Sequence, residues 1–174
     1  MFIYYPREFR YSGGWSAVEA TVLLLKKAVA EGEYDRYVLL QGLEYPIRIN
    51  REIAEFFEKN YNTEFLKAQC ISESKNARDT HKYRLYWTLD KTSVSILVKI
   101  IHFCNQKLLK YNIVPHLKKN YVNDCTGNKL LIYQGCAQFG VTRKAVEYII
   151  EFYDNNPLVN KYFGSMFAPD ESYL

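Results

Sequence analysis

Between residues 15 and 31 the positions Val18, Thr21, Val22, Leu25 and Val29 recur three and four residues apart, a spacing that predicts a helix with one buried face. Ser16 stands where an N-cap is needed, and Gly32 is placed to stop the helix. Upstream, residues 1–5 (MFIYY) read as a short strand and residues 11–14 (YSGG) as a turn. Downstream, residues 34–42 (YDRYVLLQG) carry the continuous run YVLL, the pattern of a strand buried on both faces, as in parallel sheets. Strand, helix, strand predicts a right-handed βαβ unit.

Further along, Pro46 makes residues 44–50 (EYPIRIN) a loop, and Asn50 is placed to cap a helix over 51–60 with Ile53, Phe56 and Phe57 inward. Residues 64–71 (EFLKAQCI) read as a third strand, 72–82 as a polar loop, and 82–89 (KYRLYWTL) as a strand or extended segment. Thr92 or Ser93 opens an apolar helix through Val94, Leu97, Ile101 and Leu108. Residues 123–128 (NDCTGN) form a turn, 129–135 and 137–141 are strand-like, and Thr142 caps a helix that runs to Pro157. Strands alternate with helices, so the class is α/β, and 174 residues suit one domain.

Composition narrows the partners. The net charge of +4 is spread along the chain, with only paired lysines at Lys26-Lys27 and Lys118-Lys119, so no basic face marks a nucleic-acid partner. Sixteen tyrosines suit flat polar ligands such as sugars or bases, and fit a biased composition equally well. Cys70, Cys104, Cys125 and Cys136 are too widely spaced for a zinc knuckle or a redox pair, and are expected as reduced thiols. No run reaches the ~18 apolar residues of a membrane span, and no basic-then-apolar leader opens the chain; the expectation is a cytoplasmic protein.

Most catalytic motifs are missing. There is no GxGxxG, no GxxxxGK[ST] and no GxSxG. His81, His102 and His116 lack metal-ligand spacing, and no Asp-x-Asp pair exists to hold a divalent ion against a nucleotide diphosphate. The chain closes on PDESYL, two adjacent carboxylates at the start of what reads as a helix.

Two stretches carry a resemblance. The first, GGWSAVEATVLLLKKAV followed by YDRYVLLQGLEYPIRINREI, has Trp15, Ser16, Val18 and Ala20 at a helix start, then a strand ending in Gly42-x-acid-aromatic-Pro. The second, GCAQFGVTRKAVEYIIEF followed by FAPDESYL, has Gly135, a strand with Phe139, a Thr-Arg helix start and then Pro-Asp-Glu. Together, about ninety residues apart, they resemble the signatures of glycosyltransferase family 14, the core-2/I-branching β-1,6-N-acetylglucosaminyltransferases and their xylosyltransferase relatives. Residues 60–129 match only loosely, and Glu44 and Gln41 stand where the family commonly has Asp and Ser or Cys.

The resemblance implies a GT-A-like, Rossmann-like fold: a mostly parallel sheet flanked by helices, here expected to be incomplete at both ends, with residues 1–174 forming one partial catalytic domain. It implies an inverting, metal-independent transfer of a sugar, N-acetylglucosamine in the type members, from a UDP-sugar to a hydroxyl of an acceptor glycan. No cofactor is expected. Glu171, carried over from the Pro-Asp-Glu, would be the general base, and base catalysis of this kind contributes about 10²–10⁴-fold. Asp170 would favour the helix start electrostatically. Lys75 and Arg78, the KNAR of the polar loop, correspond to a family Lys-x-x-Arg and would contact substrate or donor, with Glu64 beside them. Trp15 reads as structural. A chain stopping just after its base is expected to transfer sugar poorly or not at all, and open sheet edges favour self-association. The alternative is an inactive carbohydrate- or nucleotide-binding remnant of the same fold.

Overall fold

The computed structural model describes residues 14–40, 44–74, 100, 103–104, 121–166 and 169–173. The expected strand at 1–5, the segment 82–89 and most of the apolar helix after Thr92 lie outside them; Ile100, Phe103 and Cys104, within that helix, are helical and exposed.

Helix α1 (Trp15–Glu31) buries Ser16, Val18, Thr21, Val22 and Leu25, the expected face, and ends before Gly32. Its N-cap is Gly14; Ser16 lies in the first turn, buried, instead of capping it. Strand β1 (Arg36–Leu39) pairs antiparallel with β6 (Phe139–Thr142), Tyr37 opposite Val141 and Leu39 opposite Phe139. Tyr37 is 6% exposed but Val38 is 50% exposed, so β1 is buried on one face only. The run YVLL was therefore misleading: a continuous apolar stretch reports hydrophobicity, whereas the pleat sends alternate side chains to opposite faces.

Helix α2 (Asn50–Lys59) begins at Asn50, with Ile49 as its N-cap and no side-chain cap. Ile53 and Phe57 are half-buried, while Phe56 is exposed yet packed on Phe57 and Phe65 with centroids 5.5 and 5.1 Å apart. The Arg36 guanidinium closes the C-terminal end of α2, donating to the carbonyls of Thr63, Asn60 and Tyr61 at 2.5–2.6 Å and lying over the Phe57 ring. A cation at the C-cap and the turn beyond it satisfies carbonyls there and complements the helix dipole.

Strand β2 (Gln69–Cys70) pairs with β5 (Tyr133–Gln134), and β3 (Tyr121–Asn123) with β4 (Lys129–Leu131). The β3–β4 hairpin turns at the NDCTGN segment, as the sequence indicated. Asp124 accepts from the amides of Thr126 and Asn128 at 2.9 and 2.8 Å, and Gly127 supplies the positive φ of 87°. Those bonds, with that from the Thr126 hydroxyl leading, hold the Asp124 carboxyl below its ordinary range.

Helices α3 (Arg143–Asn155), α4 (Pro157–Phe163) and α5 (Asp170–Tyr173) follow. Thr142 caps α3 as expected, accepting from the Ala145 amide at 3.3 Å. Pro157 sits at the first position of α4, where a missing N–H costs nothing. Buried Asn156 joins the α3–α4 junction to the hairpin: its amide donates to the Phe152 carbonyl and its oxygen accepts from the Cys125 amide.

Two apolar clusters form the core. Leu25, Tyr37, Phe139, Val141 and Val146 bind α1 and α3 to the β1–β6 ladder; Ile71, Ile132, Val159, Phe163 and Met166 gather α4 against β2 and β4–β5. The class is α/β. No parallel sheet is shown among the described residues, where all three ladders are antiparallel. Parallel pairing was inferred from the run YVLL and from a βαβ unit whose first strand lies outside the described residues, and a period-two pattern carries no information on strand direction.

Candidate functional site

Helix α5 is described over Asp170–Tyr173, and contacts with neighbouring elements hold it at both ends. Buried Pro169 begins it, its carbonyl accepting from the amides of Ser172 and Tyr173 at 3.0 and 2.8 Å. Tyr173 anchors its far end. The hydroxyl donates to Asn160 Oδ1 in α4, and the ring meets Trp15 edge-on at 5.0 Å and Phe163 at 5.4 Å. Burial, reinforced by Tyr153 and Asp154, pushes the Tyr173 phenol well above its ordinary range. Trp15 also stacks on Tyr153 at 6.1 Å, so it packs α1 against the helices α3 and α5.

Glu171 sits between these two anchors. Gln134 Nε2, at the end of β5, donates to its carboxylate Oε2 at 3.1 Å, and the next residue, Gly135, donates its amide to the Glu171 carbonyl at 2.6 Å. Gly135 is required there for space. A Cβ at that position would stand 2.2 Å from the Lys67 carbonyl oxygen, well inside any tolerable contact. Three chain segments thus meet at one point: the approach to β2, the end of β5, and α5.

They meet at a cavity of about 380 Å³. Glu171, Ser172 and Tyr173 form one wall, Lys67 and Cys136 contribute polar edges, and Val141 and Phe152 belong to an apolar remainder. The Ser172 hydroxyl is buried with no hydrogen-bond partner among the described residues. The cavity is mostly apolar, and Glu171 brings a carboxylate-bearing residue to its lining.

The other expected site residues fall elsewhere. Lys75 and Arg78 lie outside the described residues. Glu64 lines a second cavity of about 850 Å³, with Arg36, Tyr61 and Arg143, so the structure does not bring it to Glu171. Its carboxylate instead accepts from the Thr142 amide at 2.8 Å and the Thr142 hydroxyl at 2.5 Å. Glu44 of the first signature accepts from Gln138 of the second at 2.8 Å, so the two stretches of the resemblance are neighbours in space. Sequence reasoning did not find Gln134; its place immediately before Gly135 was the one available signal.

Among the described residues there is no group of three or more metal-ligating side chains and no helix long and apolar enough to cross a membrane. Cys104, Cys125 and Cys136 are exposed free thiols and Cys70 is half-buried.

The family model for the core-2/I-branching enzymes matches residues 3–174. No curated protein matches the chain.

Proposed function

Because the chain belongs to the core-2/I-branching enzyme family of glycosyltransferases, we propose that it transfers a sugar, N-acetylglucosamine first among candidates, from a UDP-sugar to a hydroxyl of an acceptor glycan with inversion and without a metal. Glu171 is the general base. The acceptor oxygen attacks the anomeric carbon from the face opposite UDP and a new C–O bond forms. The bond to UDP breaks with its electron pair leaving on the phosphate, and the hydroxyl proton passes to the Glu171 carboxylate. A base already fixed beside the attacking oxygen lowers the barrier mainly by position.

The observation that carries this reading is the double hold on Glu171, by the Gln134 side chain and the Gly135 amide, at the wall of a cavity. Lys75 and Arg78 are candidates for contacts with the substrate sugars or the donor. Glu64 enters the reading through the start of α3, which it holds. The reading includes a GT-A-like arrangement in which β1 and β6 form an antiparallel part of a larger sheet, and a cytoplasmic site of action.

The test is incubation of the protein with a panel of UDP-sugars and acceptor glycans. Acceptor-dependent release of UDP, with the opposite anomeric configuration in the product by NMR, is the expected result. Retention of configuration in the product, or transfer undiminished by Glu171→Gln, overturns the proposal.

A further inference from the structure

We propose that Gln134 is a positioning residue for the base: its side-chain amide fixes the orientation of the Glu171 carboxylate. This inference rests on the reading of Glu171 as the proton acceptor. A glutamate side chain has three rotatable bonds, and a base that must meet one hydroxyl needs them restricted. The restriction comes from β5. Gln134 lies in the β2–β5 ladder, opposite Gln69, so its backbone is set by the sheet. Its Nε2 then reaches Oε2 of Glu171 at 3.1 Å.

The next residue makes that reach reproducible. Gly135 binds the Glu171 carbonyl through its own amide at 2.6 Å, so main chain and side chain of Glu171 are gripped by consecutive residues of one strand end. The strand end cannot slide, because Gly135 is pressed against the Lys67 carbonyl so closely that even a methyl group has no room. Position of the carboxylate is thereby tied to the sheet and not to the rotamer preferences of α5. Amide donors aimed at a carboxylate also hold it without supplying or removing a proton, which suits a group that must receive one during the reaction.

The role separates from mere packing by kinetics on the full chain. Gln134→Leu removes the donor, and the nearly isosteric Gln134→Glu replaces it with a like charge while preserving volume. Each is expected to lower kcat by about ten- to a hundredfold with KM for the donor unchanged, a loss that persists at temperatures well below the variant's own unfolding transition. If Gln134→Leu fails to fold, Gln134→Glu carries the test alone. In a Glu171→Gln background the Gln134→Leu change should cost nothing further, since a residue that acts through Glu171 has nothing left to orient. An unchanged kcat, a loss confined to KM, or an equal loss in both backgrounds overturns the positioning role. Full activity of Glu171→Gln alone overturns the base assignment instead, so the two failures are distinguishable.

Discussion

Glu64 and Thr142 are locked together at the start of α3, the carboxylate of one accepting both the amide and the hydroxyl of the other. The lock has an electrostatic reason. The first turn of α3 carries Arg143 and Lys144 and no acidic residue, so two cations sit at the positive end of the helix dipole. Glu64 supplies the anion that this end needs. Replacing it by Gln is expected to lower stability by about 0.5–1 kcal/mol, read as a reduced midpoint in urea unfolding. KM for the acceptor should stay as it was; a raised KM at unchanged stability would instead make Glu64 a substrate contact.

Gly135 is a second sharp test of the architecture. A Gly135→Ala change drives a methyl group into the Lys67 carbonyl and must separate β5 from the approach to β2 or displace α5. Overpacking of this kind costs about 1–3 kcal/mol. Because the same residue holds the Glu171 carbonyl, transfer activity should fall further than stability does. A variant of normal stability and normal rate would show that the three segments do not meet as described.

The buried phenol of Tyr173 gives the fold an alkaline limit. Its ionisation is raised chiefly by burial, and the phenols of Tyr162 and Tyr153 are raised for the same leading reason. In the unfolded chain these groups titrate near the ordinary value of 10.0, whereas the folded chain keeps them protonated to higher pH. Folding thus retains protons that the unfolded state has lost, so stability is full below about pH 10 and falls as pH rises beyond it. Urea unfolding measured from about pH 8 to about pH 11 should show that decline. Tyr173→Phe, which removes the titrating hydroxyl, should be less stable at neutral pH but show a shallower alkaline loss.

Much of this was legible from side-chain chemistry, and the failures are equally specific. The α1 face, the stop at Gly32, the NDCTGN turn and the Thr142 cap are local events, decided by spacing or by one residue's conformational preference. Strand direction was not legible, because Tyr37 and Val38 pattern alike whether the partner strand runs parallel or antiparallel. Strand β3 escaped notice at three residues. Ser16 and Asn50 look like caps in sequence, yet each helix begins one or more residues earlier than such a cap would allow. The Pro-Asp-Glu that singles out Glu171 is visible in the sequence, whereas its contact with Gln134 is not. Gln134 comes within reach of Glu171 only through a tertiary contact spanning 37 positions.

The most direct measurement of the central claim is the transfer rate of a Glu171→Gln variant beside its affinity for UDP-sugar. Gln retains the size of the side chain and its hydrogen-bonding reach but cannot take up a proton at neutral pH. The account expects kcat to fall by about 10²–10⁴-fold with donor binding nearly unchanged. A variant that transfers sugar at the rate of the unsubstituted protein would contradict it.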